Sequence, residues 1–227
     1  MKKLVVLTGA GMSAESGIKT FRDADGLWEG HDVMEVASPE GYRRNPELVL
    51  DFYNQRRRQL NEVSSNEGHK NLASLEKHYE VAIVTQNVDD LHERAGSSNV
   101  LHLHGQLRKV RSTYDPNLIY HWEKDLVLGD KCEKGSQLRP HIVWFGEDVP
   151  KIPKAVEIVE QADVLVIIGT SMQVYPAAGL IDFCKPNTPI YFIDPKPSIY
   201  EGSYRNLTII EDTAVGGTSK LLKKLIG

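Results

Sequence analysis

The chain has 227 residues, of which 41% are hydrophobic and 26% are charged, and its formal net charge is -4 at pH 7. These values fit a single globular domain, and the acidic balance gives no electrostatic reason to expect nucleic acid or an anionic membrane as a partner. No stretch approaches the roughly 20 apolar residues of a membrane helix, and the apolar run near the start is too short for a signal peptide. With two cysteines, Cys132 and Cys184, we expect a cytoplasmic protein without disulfides.

The first predicted element is a buried strand over residues 4–7 that ends in closely spaced glycines. Gly9, Ala10, Gly11 and Ser13 follow it and lead into helix-compatible residues. Glycines let the backbone approach a pyrophosphate, and the free N–H groups and positive dipole of a helix start favour the bound anion. The pattern therefore predicts nucleotide binding, with a plain strand-to-helix turn as the alternative.

The next segment, residues 19–28, is polar and contains glycine. At this place the usual dinucleotide fold continues into a second strand that ends in an acidic residue. Phe21, Arg22 and Trp28 lie in the segment. We expect it to form a lid over the bound nucleotide rather than part of a continuing βαβ unit.

An arginine-rich helix is predicted over residues 46–63, with proline in its first turn. Tyr53 and Arg56 are three residues apart and project from one face of this helix. Arg57 and Arg58 turn roughly 100° and 200° further round, and we expect them to face solvent or a partner. The alternative is that Tyr53 packs at the edge of a core and that the arginines form a solvated face.

A second helix is predicted over residues 69–79, and a buried parallel strand over residues 81–84. Gln86, Asn87 and Asp89 follow at the carboxyl end of that strand, where open α/β sheets bind ligands. Their amide and carboxylate groups are suited to a carboxamide and a ribose. The same residues are also suited to capping a helix over residues 90–94.

A histidine stands at the end of the following predicted strand, over residues 100–105. A lone histidine at such a place is more often structural. A neutral imidazole at a strand end is also the usual general base near pH 7, so His104 is a candidate catalytic residue.

A further buried strand is predicted over residues 164–168, and Gly169, Thr170 and Ser171 follow it. A small residue, two hydroxyls and backbone amides suit ribose and phosphate contacts, and they also suit a plain αβ turn. A later strand ends at Asp194, whose carboxylate stands where it would reach a ribose diol.

Taken in order, these motifs resemble the signatures of the sirtuins, a family of NAD-dependent protein deacylases. The matching segments are GAGMSAESGIKTFR at 9–22, TQNVD at 85–89, HG at 104–105, LRPHIVWFGE at 138–147, GTSMQVYP at 169–176 and TAVG at 213–216. The resemblance implies an α/β fold, with a doubly wound, mainly parallel Rossmann-like sheet and a smaller inserted module. It implies one catalytic domain over residues 1–227, with the module at about residues 22–65 and 106–140.

The resemblance also implies roles for single residues. NAD would be a consumed co-substrate, His104 the catalytic base, and Asn87 and Asp89 the catalytic residues beside the nicotinamide. The implied NAD-binding residues are Gly9, Ala10, Gly11, Ser13, Phe21, Arg22, Trp28, Gln86, Asn87, Val88, Asp89, Gly169, Thr170, Ser171, Asp194 and Ala214. The residues implied to bind the acylated peptide are Tyr53, Arg56, Val143, Phe145, Gly146 and Val174.

Tyr53 and Arg56 match the pair that recognises the distal carboxylate of malonyl-, succinyl- or glutaryl-lysine in the sirtuin class that prefers acidic acyl groups. An apolar pocket rejects a carboxylate unless the carboxylate meets a partner, and a guanidinium fork with a tyrosine hydroxyl supplies one. The expected reaction removes succinyl or malonyl groups from lysine, with acetyl as a further candidate. Its products would be nicotinamide and O-acyl-ADP-ribose.

The chain departs from the family pattern between Gly105 and Arg139. Many sirtuins hold a structural zinc there with two Cys-x-x-Cys pairs, whereas this segment has one cysteine, Cys132, with Gly135 where its partner would fall. One thiolate cannot form a tetrahedral thiolate site, so we expect no zinc. The residues expected to pack the module instead are Tyr114, Leu118, Tyr120, Trp122, Leu126 and Leu128.

Two other classes of function stay open on the sequence. One is a module that binds NAD or ADP-ribose without turnover, and the other is mono-ADP-ribosyl transfer to protein. The catalytic histidine argues against the first. The expected partners are acyl-lysine proteins or peptides, with no nucleic acid and no membrane, and the expected state is a monomer.

Overall fold

The computed structural model describes residues 1–19, 27–28 and 30–227. Its centre is a sheet of six parallel strands. They are β1 (Lys3–Thr8), β4 (Glu80–Thr85), β5 (Val100–His102), β9 (Val164–Ile168), β10 (Ile190–Ile193) and β11 (Leu207–Ile210). Across the sheet they lie in the order β11-β10-β9-β1-β4-β5. This confirms the predicted doubly wound parallel sheet.

Helices cover both faces of this sheet, because its strands are apolar on both sides. Leu4 and Val6 point to the face that carries α4 (Glu67–Ser74) and α7 (Ala214–Ile226), where they pack in one core. The opposite face carries α6 (Ile152–Glu160) and the 3-10 segment Ala177–Phe183. Alternation of neighbouring residues between the two faces gives the sheet two separate cores.

A smaller region lies beside the sheet. Its antiparallel sheet has the order β7-β6-β8, from β6 (Gly105–Ser112), β7 (Ile119–His121) and β8 (Leu138–Ile142). Around it lie the short pair β2 (Leu27–Trp28) and β3 (His31–Asp32) and the helices α1 (Val33–Val36), α2 (Pro39–Arg44) and α3 (Pro46–Glu62). The remaining short helix, α5 (Leu91–Arg94), follows β4.

The packing of the small region differs in part from the prediction. Leu126 is buried with Leu50, Val110, Cys132 and Leu138, and Leu118, Tyr120 and Trp122 pack against this cluster. The prediction was wrong for two residues, since Tyr114 is 74% exposed and Leu128 is 46% exposed. Tyr114 follows the end of β6 and Leu128 lies in the turn at residues 128–129, so both are at surface positions.

Several predicted boundaries also shift. The helix predicted over 69–79 begins earlier, at Glu67, because the Asn66 side chain accepts from His69 N, and it continues as a 3-10 turn over Leu75–Lys77. The strand predicted over 100–105 ends at His102, since Gly105 already begins β6. None of the helices formed by the described part of the chain combines the length and apolar character needed to cross a membrane.

Candidate active site

The carboxyl ends of β1, β4 and β9 meet at one edge of the central sheet. β1 pairs with both other strands, so that Thr8 lies opposite Thr85 on one side and opposite Ile168 on the other. The residues that follow these strands therefore converge, as expected at the switch point of an open α/β sheet.

The two glycine turns at this edge touch each other through their backbones. Gly11 N donates to Gly169 O over 2.9 Å, and a Cβ on Gly11 would lie 2.7 Å from Gly169 Cα. Gly169 has a φ of 61°, and a Cβ there would lie 2.5 Å from the Gly11 carbonyl carbon. Glycine is also required at position 9, because a Cβ there would lie 2.7 Å from Gly169 O. The two turns can approach this closely only because these three positions are glycine, whether or not a ligand is bound.

The helix expected after the first glycines is absent from the described residues. The chain instead forms two 3-10 turns, Ala10–Met12 and Ala14–Ser16, and Gly17 ends the second with a φ of 95°. Three-residue turns carry little of the dipole that a long helix has. The first turn therefore offers an anion little of the helix dipole that the sequence predicted.

Three buried polar side chains form a cluster at the sheet edge. Ser13 Oγ donates to Asp89 Oδ2 over 2.9 Å, and Asn87 Nδ2 donates to Ser13 Oγ over 3.2 Å. Burial raises the pKa of Asp89, an effect opposed by its hydrogen bonds from Leu91 N and Ser13. Asp89 Oδ1 accepts from Leu91 N, the first residue of α5, but the N-cap position is Asp90, whose side chain makes no cap bond. The predicted side-chain cap is therefore not formed as expected, and both Asp89 oxygens accept hydrogen bonds from the protein.

Gln86 links this cluster to the turn after β9. Its Nε2 donates to Thr170 Oγ1 over 3.2 Å, and Thr170 Oγ1 also accepts from Met172 N over 3.2 Å. Val88 and Ser171, on the same two turns, are half-buried. Amide and hydroxyl groups that follow β4 and β9 therefore lie side by side at this edge of the sheet.

His104 lies beside Gln86 with a defined tautomer. Its Nδ1 is 3.2 Å from the Gln86 carbonyl oxygen, which can only accept, so Nδ1 carries the proton and Nε2 has the free lone pair. Burial lowers the pKa of His104, although the bond to Gln86 opposes this. The imidazole is therefore neutral near pH 7 and suited to accept a proton at Nε2.

His102, by contrast, has both ring nitrogens hydrogen-bonded within the protein. Its two ring nitrogens lie 3.0 Å from Asn87 O and 2.7 Å from Glu93 Oε1. It is 3% exposed, so it supports the loop that carries Asn87. The choice of His104 over His102 as the candidate base agrees with this geometry.

A pocket connects the polar cluster to α3. The residues that line it are Ile18, Lys19, Trp28, Arg56, Gln59, Leu60, Val88, Asp89 and Leu107. The Arg56 guanidinium carbon lies 4.9 Å from the centre of the Phe52 ring. The structure thus brings Arg56, Trp28, Val88 and Asp89 to one cavity, while Phe21 and Arg22 lie outside the described residues.

Tyr53 is adjacent to this pocket but does not line it. It is 0% exposed, and its hydroxyl oxygen accepts a hydrogen bond from Trp144 Nε1 over 3.0 Å. The Trp28 and Tyr53 rings are 6.0 Å apart. Tyr53 and Arg56 share a helix face, but only Arg56 reaches the described cavity.

We expected Arg57 to face solvent or a partner, but it is buried inside the protein. Arg57 is 1% exposed, and it donates to Leu107 O over 2.9 Å and to Asn54 Oδ1 over 2.7 Å. Asn54 in turn bonds to both main-chain groups of Leu126. The small region covers this side of α3, so Arg57 is a buried structural residue. Arg58 does face solvent and pairs with Asp125.

The remaining predicted residues divide into an exposed and a buried set. Phe145 and Val174 are 43% and 39% exposed, Gly146 is exposed, and Val143 is half-buried, with Val143 N donating to His104 O over 2.9 Å. Asp194 is 2% exposed and its Oδ1 accepts from Lys196 N.

Comparison with known proteins decides the family. The Sir2 family model matches residues 9–176. The chain belongs to the Sir2 family. It is 63% identical over 226 residues to an NAD-dependent protein deacylase of Helicobacter pylori (strain ATCC 700392 / 26695), an alignment that covers all of this chain and 98% of the relative. A protein of the same name from Bacteroides thetaiotaomicron is 55% identical over 232 residues, covering 100% of this chain and 99% of the relative.

Solved Sir2 structures have the same fold. A Sir2 homolog–NAD complex superposes with a TM-score of 0.88 at 41% identity, covering 98% of this chain and 89% of that chain. A Sir2 variant with a deacetylated p53 peptide and 3'-O-acetyl ADP ribose gives a TM-score of 0.83 at 27% identity, covering 98% and 93%. The matched Sir2 region includes every predicted site residue except Asp194 and Ala214.

Two contacts beside the candidate site were missed in the sequence. Glu15 Oε2 accepts from Val215 N over 2.8 Å, which joins the first turn to the start of α7 beside the buried Ala214. Trp144, within the LRPHIVWFGE segment, bonds to Tyr53. Neither contact has a local signal, because each joins residues about 90 or more positions apart in the chain.

Proposed function

We propose that this protein removes acidic acyl groups, succinyl or malonyl, from protein lysines. It is an NAD-consuming protein-lysine deacylase, as expected of the Sir2 family and of relatives that carry this name. The finer proposal rests on one observation: Arg56 and Asp89 line the same pocket between α3 and the sheet edge. Five of the nine residues that line the pocket are apolar, and a guanidinium among them suits an acyl chain that ends in a carboxylate.

The described residues fit NAD. Gly9, Gly11 and Gly169 bring the first turn and the turn after β9 into backbone contact at the sheet edge, so neither turn presents a side chain at these three positions. Ser13, Asn87 and Asp89 supply buried donors and acceptors next to it. We assign the carboxamide to Asn87 and Asp89 and the phosphates to the glycine turns. When bound, NAD supplies a ribose carbon that is activated by departure of nicotinamide.

His104 is the proposed general base. Because Gln86 O holds the proton on Nδ1, Nε2 can take the proton of a ribose hydroxyl that comes within hydrogen-bond distance of it. The lowered pKa keeps this nitrogen unprotonated near neutral pH. Val143, Phe145, Gly146 and Val174 are the proposed peptide contacts, on exposed or half-buried positions. Asp194 and Ala214 are proposed contacts of the adenosine half.

Selectivity between acyl groups tests this proposal. The substrates are peptides that differ only in whether one lysine is succinylated, malonylated or acetylated. A charged hydrogen bond is worth about 1.5–3 kcal/mol, so Arg56→Met should lower kcat/KM roughly ten- to a hundredfold on the acidic acyl peptides and little on the acetyl peptide. Arg58→Met is the matched control, because Arg58 is on the same helix but exposed.

Equal losses on the succinyl and acetyl peptides would contradict the carboxylate-binding role and favour general deacetylation. Mass spectrometry of the same reactions identifies the products. Nicotinamide with O-acyl-ADP-ribose supports deacylation, ADP-ribosylated protein would indicate transferase activity, and unchanged NAD would indicate a binding module.

A further inference from the structure

His102 lies between two groups that only accept hydrogen bonds. Its Nδ1 is 3.0 Å from the main-chain oxygen of Asn87, and its Nε2 is 2.7 Å from Glu93 Oε1. A carbonyl oxygen and an ionised carboxylate carry no hydrogen, so both ring nitrogens must donate. Only the doubly protonated ring, a positively charged imidazolium, has two N–H groups. The hydrogen bonds of His102 therefore define a cation that is 3% exposed.

Glu93 supplies the negative charge of this pair. Burial raises its pKa, but the hydrogen bond and the charge of His102 lower it, and the net shift is below the ordinary value. Glu93 is therefore an ionised carboxylate at neutral pH. A cation held out of water needs a charged partner and an acceptor for each N–H. Glu93 and the Asn87 carbonyl together meet both conditions.

The charge of His102 acts on the buried carboxylate of Asp89. Burial raises the pKa of Asp89, whereas its hydrogen bonds and the charge of His102 lower it. The other titratable and charged groups around the pair are His92, Asp90, Arg108 and Lys109. His92 stays neutral, since burial and the charges of two neighbouring histidines all lower its pKa. A positive His102 therefore favours the ionised form of Asp89.

We propose that the His102 imidazolium, paired with Glu93, is a positioning residue that holds Asn87 and favours an ionised Asp89 for binding nicotinamide. The inference rests on the proposed function, which assigns the carboxamide to Asn87 and Asp89. His102 Nδ1 donates to the Asn87 carbonyl, and the Asn87 side chain is joined to Asp89 through Ser13 Oγ. An ionised carboxylate has about four lone-pair sites, so Asp89 can accept from a carboxamide N–H besides its bonds within the protein.

The protonation state of His102 is measured directly by NMR on the full chain labelled with 15N-histidine, in the absence of NAD. Long-range 1H–15N spectra distinguish an imidazolium, with two protonated nitrogens, from a neutral ring, with one protonated and one bare nitrogen. At pH 7.5 we expect an imidazolium for His102 and a neutral ring with the proton on Nδ1 for His104. A neutral His102 ring would overturn the proposal, and this measurement requires no variant.

Glu93→Gln removes the charge of the partner and keeps the size of its side chain. The amide can donate to Nε2, so we expect a neutral His102 ring with its proton on Nδ1. Loss of the charge raises the pKa of Asp89, so Asp89 takes up its proton at a higher pH. As the pH is lowered, the affinity for NAD should therefore start to fall roughly one pH unit earlier, because a nearby charge shifts a pKa by about one unit or more.

Calorimetric titration with NAD between pH 8 and 5 measures this shift. Both chains carry His104→Tyr, so that titration of the proposed base does not contribute. Glu123→Gln is the matched control, because it breaks the exposed His121–Glu123 pair, and it should leave the pH dependence of the Kd unchanged. An unchanged pH dependence in Glu93→Gln, with a neutral His102, would overturn the proposal.

Asn87→Ala separates this inference from the assignment on which it rests. A wild-type Kd for NAD in Asn87→Ala would contradict the nicotinamide site of the proposed function. A weaker Kd in Asn87→Ala, together with a neutral His102 in the wild-type protein, would overturn only the role of His102.

Discussion

The sheet edge and the small region place their functional side chains in different ways. At the sheet edge, Asn87, Asp89 and His104 directly follow parallel strands, and the register Thr8–Thr85 and Thr85–His102 is set by main-chain hydrogen bonds. In the small region, α3 carries Arg56, but side chains hold this helix in position. Arg57 and Asn54 bond to the main chain of Leu107 and Leu126.

This difference predicts which substitutions change the reaction rate and which change the stability of the fold. A side chain that follows a strand can be replaced without loss of the backbone bonds that position it. A side chain that itself joins two elements cannot, because its partners are left buried without hydrogen bonds. Substitution of His104 should therefore change rates, and substitutions at the Asn54–Arg57 pair should change the free energy of unfolding.

The largest effect is expected at His104. His104→Tyr should lower deacylation about a hundred- to ten-thousandfold, the usual contribution of a general base, and leave the Kd for NAD and the Tm nearly unchanged. Steady-state kinetics and calorimetric NAD titration measure these quantities. His121→Tyr is the matched control, since His121 is exposed on β7. Wild-type turnover in His104→Tyr would exclude the proposed base.

The second prediction concerns Arg57 in the small region, where side chains hold α3 in position. Arg57→Met leaves Leu107 O and Asn54 Oδ1 without their donor, so the free energy of unfolding should fall by roughly 3 kcal/mol. Denaturant unfolding measures the loss. Arg58→Met should change stability by no more than about 0.5 kcal/mol, because Arg58 is exposed. Similar stability of both variants would show that the pair does not hold α3.

The sequence predicted the sheet edge well, for a physical reason. Apolar β-branched runs identify buried parallel strands, and the residues after such strands must meet at one edge. Arg57 could not be placed in this way. Helical periodicity gives the angle at which a side chain leaves the helix, but it does not tell which distant segment covers that side. Here the cover comes from residues 107 and 124–126, more than 45 positions away.

Local sequence patterns also failed to predict the form of the first turn and the contact between Trp144 and Tyr53. Gly17 ends the turn in a left-handed conformation, so a helix expected from local composition stops after two short 3-10 turns. Trp144 reaches Tyr53 across 91 positions, and the bond depends on the packing of β8 against α3. Local patterns predict elements and strand ends, whereas contacts between elements need the assembled core.

The third prediction concerns two histidines beside the central sheet, whose protonation should make the protein less stable in acid. His69 is 0% exposed, and burial lowers its pKa to about 4. Its Nδ1 accepts from Asn66 N, and protonation of Nδ1 would break that cap. His92 packs at 4.8 Å from His69, and its Nε2 lies 3.1 Å from Thr8 Oγ1 at the end of β1.

The sign follows from proton uptake. Below its ordinary pKa of about 6.5, His69 binds a proton in the unfolded chain but not in the folded one, so stability is fully present above pH 6.5 and falls towards pH 4. The loss from His69 alone should be about 2 kcal/mol at pH 5. Unfolding of wild type and His69→Gln, compared between pH 7.5 and 5, measures it. The exposed His78→Gln should retain the wild-type slope, and a wild-type slope in His69→Gln would contradict the assignment.

The smallest effect is expected from metal chelators, which would test whether side-chain bonds suffice to hold the small region. Cys132 is 6% exposed in an apolar cluster, and its Sγ lies 3.3 Å from Ser112 Oγ. Within residues 1–19, 27–28 and 30–227, no three His, Cys, Asp or Glu side chains are grouped so that they could hold a metal. Elemental analysis should therefore find no stoichiometric zinc, and excess EDTA should leave both the Tm and deacylation unchanged, because the Asn54–Arg57 contacts do not depend on a metal. One zinc per chain, or a chelator-induced fall in Tm, would show that a metal rather than the buried arginine is the main support of this region.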